Sequence, residues 1–368
     1  MLLVKFLTAR TFKAHCLTYP LKVFKHQLKG VGIEVKFYYK PSPALFDCDV
    51  LCLNTEVFKR NRLNPNPPNR DRFLEQARSN AGAIVFFDTS AGSGTTWFGT
   101  LPYIDLYAKN QLLKDRERYL RPLYSNRLNS EFYHETMGII DPGKTDRRSV
   151  LQPNQLDKLV ISWNMGLGDL HANITWMRRL RTLLEWGNYH YRTTPAHVSR
   201  DIDVSYRVSD GYELPTLVFQ RRETRRQLAK TAADHSYQIV YQGKLPYRDY
   251  RAEMQRTAII PSPFGLGEVC FRDFECFLAG AALFKPDMSH LETWPDYYQP
   301  ESTYIPYAWD FSDFEDKLLD LLETPEKRQR IARASQERYL HSLSPAGGEA
   351  FVEHLIGLLQ KATNNAHR

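Results

Sequence analysis

The segment PSPFGLGEVCFRDFECFLAG, residues 261–280, predicts a glycine-containing loop that leads into a largely buried helix. Gly265 and Gly267 give the backbone unusual freedom just before the helix, and Gly280 stands where a helix is expected to end. The apolar letters AALF that follow predict a short buried strand. The chain on both sides continues this alternation of strands and helices.

Three charged residues interrupt the apolar pattern of the predicted helix. Glu268, Arg272 and Glu275 stand at positions i, i+4 and i+7, which predicts that they share one helical face. One interpretation is a site for an anionic, hydroxyl-rich ligand, because a helix N-terminus attracts phosphate and a carboxylate accepts hydrogen bonds from sugar hydroxyls. The alternative is the solvent face of an amphipathic helix, which leaves the two glycines unexplained.

The composition is that of a globular protein with an excess of positive charge. The 368 residues suffice for two domains of ordinary size, and 42% of them are hydrophobic. A net charge of +7 favours acidic partners such as nucleotides or anionic membrane surfaces. The five cysteines form no CxxC pair, so we expect a reducing compartment and no zinc site. Without a signal-peptide pattern or an apolar run of about 20 residues, the protein is expected to be cytoplasmic.

Strands and helices alternate in two successive units. Apolar runs predict strands in the first unit at residues 2–7, 31–39, 49–54 and 83–88, and a further helix is predicted at 109–120. Residues 121–155 break the pattern and predict a long irregular insert.

The alternation predicts an α/β fold of two Rossmann-like domains that face a cleft. We place the first domain at residues 1–195 and the second at 196–342. Residues 343–368 predict a C-terminal helix that crosses back to the first domain.

Several segments of the second half occur in a recognisable order. They are DVSYR at 203–207, Arg222 with Arg225, GKLPYRDY at 243–250, the segment 262–280, KPD at 285–287 and WDFSDF at 309–314. In order and spacing they resemble the C-terminal domain of GT-B glycosyltransferases, in particular the bacterial family 1, or group 1, enzymes. The resemblance covers about residues 203–340. It implies a nucleotide-sugar donor bound by the second domain and an acceptor bound by the first.

The resemblance assigns roles by position. It implies that Glu275 holds the ribose of the nucleotide and that Arg207, Arg222 and Lys285 clamp the diphosphate. Gly265, Gly267 and Arg272 fall in the same donor-binding segment. The sequence departs from the E-x7-E motif of many retaining members, because only six residues separate Glu268 from Glu275. Retention of the sugar configuration is therefore left open.

Three residues are candidate catalytic groups: Asp88, His171 and Glu268. Asp88 ends a predicted strand and could be the base for the acceptor hydroxyl, or it could cap the turn that follows. His171 follows a glycine turn and could be the base of an inverting enzyme, although surface and capping histidines are commoner. The letters DID at 201–203 match a DxD metal motif, but Asp203 opens a strand, so no metal site and no cofactor are predicted.

The expected function is metal-independent transfer of a hexosyl or pentosyl unit from a nucleotide sugar to a glycan, lipid-linked or protein acceptor, as in polysaccharide biosynthesis. Lys22, Lys25 and Lys29 could attract the inner face of a membrane. The alternatives are a non-catalytic GT-B-like interaction protein and a nucleic-acid-binding protein. The latter needs exposed aromatic residues along a basic stripe, whereas the aromatic residues here follow core spacing, so no nucleic-acid partner is expected.

Overall fold

The computed structural model describes residues 1–60, 66–143, 149–170, 180 and 187–367. The strands of the first half are β1 Leu2–Leu7, β2 Ile33–Tyr38, β3 Val50–Asn54, β4 Ala83–Asp88, β5 Leu106–Lys109, β6 Leu112–Leu113 and β7 Leu159–Ile161. All except β6 form one parallel sheet in the order β2-β1-β3-β4-β5-β7. β3 and β4 are buried along their whole length, as expected of central strands whose two faces are both covered.

The described helices of the first half are α1 Phe12–Val23, α2 Lys25–Gly30, α3 Arg70–Asn80 and α4 Leu128–Met137. α1 begins just beyond the carboxyl end of β1, where the Thr11 hydroxyl accepts a hydrogen bond from the Ala14 N–H (3.2 Å). Leu17 and Leu21 of α1 then pack in the same buried cluster as Val4 of β1.

The predicted helix at residues 109–120 is wrong. Leu112 and Leu113 instead form β6, which pairs antiparallel with Leu291 and Glu292, and Arg116–Leu120 form a 3-10 turn. The partner of β6 lies in the other half of the chain, so no local pattern reveals it. The insert predicted to be irregular at 121–155 contains α4, which ends at Gly138 in the left-handed conformation (φ 65°).

The second half repeats the architecture of the first. Its strands are β8 Ile202–Ser205, β9 Ile239–Val240, β10 Thr257–Pro261, β11 Ala282–Pro286, β12 Leu291–Glu292 and β13 Ile305–Tyr307. Its helices are α5 Pro215–Asp234, α6 Tyr247–Gln255, α7 Phe271–Ala279, α8 Phe314–Glu323 and α9 Pro325–Ser342. The parallel sheet has the order β13-β11-β10-β8-β9. Two parallel sheets with flanking helices confirm the predicted fold class, two Rossmann-like α/β domains.

The two halves, which we call the first and second domains, are connected in several places, and secondary-structure elements form two of these connections. The last helix, α10 at Pro345–Ala366, follows the second sheet but packs against the first, where Phe351 joins the cluster that contains Phe87. The second connection is the β6–β12 pair. The boundaries drawn at residues 195 and 342 remain predictions. Among the described residues, no helix has both the length and the apolar character that crossing a membrane requires.

Candidate functional site

Helix α7 begins after Cys270, not at Glu268. The Cys270 N–H donates to the carboxylate of Asp273 (3.1 Å), which fixes the first turn. Glu268 therefore lies in the preceding loop, residues 262–270, which we call the glycine loop. The prediction that Glu268 shares a helical face with the other two charged residues is wrong.

The Glu268 carboxylate is buried and bonded to the first domain. It accepts hydrogen bonds from the Ser93 N–H (3.0 Å), the Ser93 hydroxyl (2.5 Å) and the Gln111 side-chain N–H (3.0 Å). Beside it, a Cβ atom on Gly267 would lie 1.7 Å from the carbonyl oxygen of Ala91. The glycine loop is thus packed directly against the loops that follow β4 and β5.

Lys285, predicted to clamp the donor, is enclosed in the second domain. Its ammonium pairs with the Asp273 carboxylate (3.2 Å) and donates to the Ser262 carbonyl (3.1 Å), and both charged side chains are 0% exposed. The Tyr298 hydroxyl also donates to Asp273 (2.8 Å). These bonds tie the glycine loop to β11, and they leave no exposed surface on Lys285 for a phosphate.

Glu275 lies on the second turn of α7 and lines a small cavity at the surface. Its carboxylate accepts hydrogen bonds from the hydroxyls of Tyr247 (3.2 Å) and Tyr250 (3.3 Å), both on α6. Arg251 and Tyr191 line the same cavity, which we call the Glu275 pocket. Burial raises the pKa of Glu275 above its usual value, and burial beside this carboxylate raises the pKa of Tyr247 to about 12. A carboxylate held in this way can accept further hydrogen bonds from ligand hydroxyls.

Arg272 connects the helix with the glycine loop. Its Nη1 lies 3.4 Å from the Ser262 hydroxyl, and the side chain is half-buried. Its positive charge also acts on the Glu275 carboxylate. The structure therefore brings Arg272, Glu275 and the glycine loop into one neighbourhood.

On α5, the arginine that contacts the glycine loop is Arg221, whereas the predicted Arg222 is exposed. Arg221 is buried and donates to the Phe264 carbonyl (3.0 Å) and the Tyr212 hydroxyl (3.1 Å). The sequence could have indicated that Arg221 is the buried arginine, because it falls on the apolar stripe of α5. The other buried members of that stripe are Leu217, Thr224 and Leu228.

Arg207 is held by a carboxylate of its own domain. Its Nε and Nη2 atoms donate to Glu253 at 2.9 and 2.6 Å, and the Ser205 hydroxyl donates to the same carboxylate (2.5 Å). The side chain is 14% exposed, which leaves its Nη1 edge beside Gly243.

Asp88 is fully buried at the end of β4. The Lys109 ammonium (2.9 Å) and the Tyr107 hydroxyl (2.6 Å) bond one carboxylate oxygen, and the Ser90 N–H (2.8 Å) bonds the other. Burial alone would raise the pKa of Asp88, but the lysine and the hydroxyl hold it below its usual value. His171 lies outside the described residues.

A second polar cluster, which the sequence analysis missed, lies at the carboxyl edge of the first sheet. Glu56 accepts hydrogen bonds from the Thr11 hydroxyl (3.0 Å) and the Lys59 ammonium (2.7 Å). Lys13, on the first turn of α1, is half-buried nearby. The only sequence signal was the capping threonine that fixes where α1 begins.

The fold and the site together define a two-domain α/β protein with a carboxylate pocket beside the helix that follows β10. Residues 215–346 match a family model described as glycosyl transferase-like. The match runs from α5 to the start of α10 and includes the glycine loop and the Glu275 pocket's α6 and α7. It confirms the predicted resemblance to the glycosyltransferases over the second domain. No curated protein matches the sequence.

The solved structures that are similar in outline include the following three. Anabaena HepE in complex with UDP-glucose is 10% identical, with 97% of this chain and 100% of that chain covered and a TM-score of 0.41. The pneumococcal O-GlcNAc transferase GtfA, in complex with UDP and GlcNAc, is 10% identical, with 87% and 58% covered and a TM-score of 0.42. A Listeria monocytogenes protein described as a putative UDP-N-acetylglucosamine 2-epimerase is 10% identical, with 99% and 97% covered and a TM-score of 0.43. At this level of similarity, nothing about the chemistry of this chain follows from them.

Proposed function

We propose that the chain transfers a hexosyl or pentosyl unit from a nucleotide-sugar donor to an acceptor hydroxyl, with the donor on the second domain. The observation that carries the proposal is the glycosyl transferase-like match over residues 215–346. Within those residues, the Glu275 side chain lines a small surface cavity. A carboxylate in such a pocket suits the two neighbouring hydroxyls of a ribose.

In this proposal the ribose of the nucleoside lies against Glu275 at the mouth of this cavity. The Tyr247 and Tyr250 hydroxyls hold the carboxylate in place, so a ribose meets a preorganised acceptor. The rings of Tyr191 and Tyr247 line the pocket and offer apolar surface to the base.

The leaving diphosphate is assigned to Arg272 and the start of α7. When the bond between the sugar carbon and the diphosphate oxygen breaks, negative charge develops on the phosphate. A guanidinium and free helix N–H groups stabilise that charge. The contacts of Lys285 with Asp273 and Ser262 favour a different role for this lysine, which is to hold the glycine loop in position.

The identity of the catalytic base is a prediction, with Asp88, His171 and Glu268 as the candidates. Asp88 and Glu268 are both buried, so either must become exposed before it can reach an acceptor, and their contacts favour Glu268 over Asp88. A lysine neutralises Asp88, whereas the described hydrogen-bond partners of Glu268 are the uncharged groups of Ser93 and Gln111. Asp88→Asn and Glu268→Gln variants should therefore differ, with the larger fall in kcat for Glu268→Gln at unchanged donor affinity. An equal fall in both would remove the preference.

Metal independence is also proposed. In the described part of the chain, no three His, Cys, Asp or Glu side chains gather as metal ligands. Donor turnover measured with excess EDTA should equal turnover with added Mg²⁺ or Mn²⁺. A loss of turnover in EDTA that Mg²⁺ restores would contradict this part of the proposal.

Binding of nucleoside diphosphates tests the donor site directly. A panel of UDP, GDP, ADP, CDP and dTDP, followed by melting temperature, should give a rise with at least one nucleotide, because a ligand that binds only the folded state stabilises it. Glu275→Ala should weaken that nucleotide about tenfold to a hundredfold, the size expected for lost charge-assisted hydrogen bonds. Glu337→Ala, an exposed carboxylate on α9, is the matched control. No response of the wild type at millimolar nucleotide would refute the donor site.

A nucleotide that binds without turnover would favour the non-catalytic alternative. The measurement is release of nucleoside diphosphate from the matching nucleotide sugars, with and without glycan, lipid-linked and peptide acceptors. Release that depends on one acceptor class would identify the substrate and establish the transferase.

We also propose that the first domain contacts an anionic membrane surface. Lys25, Lys29 and Lys36 line a groove between α1, α2 and the edge strand β2, and Glu34 is the acidic residue among its described lining. The prediction that Lys22 faces a membrane with them is wrong, because this side chain is buried and its ammonium lies over the ring of Phe37. This charge supports an anionic membrane surface as the occupant. Sedimentation with vesicles that contain phosphatidylglycerol should pull down the wild type and the Lys361→Glu control, but less of a Lys25→Glu/Lys29→Glu variant. Equal sedimentation of all three would contradict it.

A further inference from the structure

The insert of the first domain is attached to the second domain in several places. We call residues 121–143 the insert segment, which contains α4. The Asp141 carboxylate accepts hydrogen bonds from the N–H (2.9 Å) and the hydroxyl (2.8 Å) of Thr216, in the first turn of α5. On α4, the ring of Tyr133 packs against that of Phe219, with centroids 5.0 Å apart. The insert segment therefore holds the start of the helix that borders the glycine loop.

A series of buried hydrogen bonds leads from α4 through α5 to the backbone of the glycine loop. The Phe264 N–H donates to the side-chain oxygen of Gln220 (2.6 Å). The Gln220 side-chain N–H donates to the Tyr133 hydroxyl (2.8 Å), which donates in turn to the Trp309 carbonyl (3.0 Å). Because a backbone N–H can only donate, the bond from Phe264 fixes the orientation of the Gln220 amide. Tyr133 and Gln220 are both buried, so these bonds are shielded from water.

The residues that these bonds hold form the exposed part of the glycine loop. We call residues 264–266 the loop apex. Leu266 is 48% exposed, whereas Glu268, two residues further on, is 1% exposed. Arg127 of the insert segment donates to the Leu266 carbonyl (3.2 Å), so both ends of the apex are held from the insert segment. A ligand that approaches the glycine loop therefore meets the apex, while Glu268 belongs to the enclosed contact between the domains.

Packing alone does not account for polar side chains at these buried positions. A buried hydrogen bond adds little stability over apolar groups of the same shape, but it fixes an orientation. Here the last bond is made to a backbone N–H, so the main chain of the apex is what it orients. Gly265, in the middle of the apex, gives this main chain a wide choice of conformations. The contacts at its two ends select one of them.

We infer that Tyr133 and Gln220 are positioning residues of the donor site, which hold the loop apex where it meets the diphosphate of the donor. The inference rests on the proposed function for the identity of the ligand. It gives the insert of the first domain a part in donor binding, although the proposed donor site lies on the second domain. The position of the apex can be measured without any ligand.

Hydrogen exchange of the glycine loop provides that measurement. Tyr133→Phe and Gln220→Met each break the series of hydrogen bonds, and Thr216→Val is the matched control. The control also removes a buried hydroxyl of α5, but the described bonds of this hydroxyl end on the insert segment itself. We expect peptides that cover residues 262–270 to exchange about fivefold faster in the two variants, as for one lost hydrogen bond, and at the wild-type rate in the control. Unchanged exchange in the two variants, or equally faster exchange in the control, overturns the inference.

Nucleotides with one or two phosphates test what the apex does. Calorimetry compares the nucleoside diphosphate that binds the wild type best with the monophosphate of the same nucleoside. Both carry the ribose that is assigned to Glu275. We expect Tyr133→Phe and Gln220→Met to weaken the diphosphate about fivefold and the monophosphate less than about twofold, and Thr216→Val to change neither. An equal loss for both nucleotides, or the same loss in the control, would show a general defect of the fold and overturn the inference.

The double variant tests whether the two residues act in series. If Tyr133 acts through Gln220, Tyr133→Phe/Gln220→Met should bind the diphosphate no more weakly than Gln220→Met alone. Losses that multiply would overturn the series. If no nucleotide binds the wild type, the proposed function fails and the donor role of the apex fails with it. Faster exchange in the two variants would then still show that the insert segment holds the apex, so the two failures are distinguishable.

Discussion

Glu268 and Glu275 stand two helical turns apart in sequence, yet their surroundings are opposite. Glu268 is enclosed, with its carboxylate bonded to Ser93 and Gln111 of the first domain. Glu275 is half-buried and lines a small surface cavity, with its carboxylate held by two tyrosine hydroxyls of its own domain. The loop carboxylate joins the domains, and the helix carboxylate is available to a ligand.

The difference shows how a single segment can both join the two domains and offer a carboxylate to a ligand. The glycines of the loop allow the two backbones to approach, and Glu268 supplies the acceptor atoms that the enclosed N–H and O–H groups need. α7 then leads away from the contact between the glycine loop and the first domain, so the Glu275 side chain lies apart from that contact. If this comparison is right, substitutions in the loop should change stability, and substitutions at Glu275 should change ligand binding.

The largest expected effect is that of Gly267→Ala. The new Cβ would lie 1.7 Å from the Ala91 carbonyl oxygen, so backbone must move on one side of the contact. We expect a loss of about 3 kcal/mol in the free energy of unfolding, measured by denaturant titration.

The matched control for that change is Gly357→Ala in α10, where a Cβ would meet nothing within 4 Å. This variant should gain about 0.5–1 kcal/mol, because alanine is a better helix former than glycine. A Gly267→Ala protein as stable as the wild type would show that the domain contact does not persist in solution.

Glu268→Ala should have the next largest effect. It leaves the Ser93 N–H and hydroxyl enclosed without an acceptor, which costs about 2 kcal/mol of unfolding free energy. Affinity for the nucleoside diphosphate should stay within about twofold of the wild type, since the pocket of Glu275 is untouched. Normal stability combined with lost nucleotide binding would reverse the roles of the two glutamates.

The sequence predicted the architecture better than the site. Apolar runs such as residues 83–88 predicted the strands, because central parallel strands are buried on both faces whatever surrounds them. The domain-level resemblance also followed from the order of segments. Glu275 was predicted to lie on a helix after a glycine loop, and the structure confirms that position.

The details of the site depended on partners that local patterns cannot show. Lys285 meets Asp273, and Glu268 meets Ser93 from the other domain. Glu268 stands at helical spacing from Arg272 and Glu275 although it lies in the loop. The spacing alone therefore placed the start of α7 too early. The cluster around Glu56 was missed because its partners, Thr11 and Lys59, come from separate segments of the chain.

The change of nucleotide affinity with pH should be a smaller effect than the losses of stability above, but it identifies the group that titrates. Burial raises the pKa of Glu275, so its carboxylate becomes protonated at a pH above the usual glutamate value of about 4.3. A protonated carboxyl accepts ribose hydroxyls poorly, and affinity should therefore fall as pH drops through the raised pKa. The linked stability has the opposite sign: the folded state holds this proton more tightly, so the contribution of Glu275 to stability declines as pH rises through the same window.

Calorimetry of the nucleoside diphosphate across pH checks this sign. Glu275→Gln, which does not titrate, should bind weakly and lack the component of the pH dependence that belongs to this group. An identical pH profile in the variant would mean that another group governs the fall.

The smallest effect should be that of Tyr247→Phe. The ring stays in the pocket, but the hydroxyl that donates to Glu275 is lost (3.2 Å). This hydrogen bond lowers the pKa of Glu275 against the effect of burial, so its removal should raise that pKa further. A bond worth about 0.5–1.5 kcal/mol corresponds to an upward shift of about half to one unit in the pH midpoint of nucleotide binding. Tyr250→Phe should act in the same direction, because its hydroxyl donates to the other carboxylate oxygen (3.3 Å). A midpoint that moves down, or does not move in either variant, would mean that the tyrosines do not hold the carboxylate that the nucleotide uses.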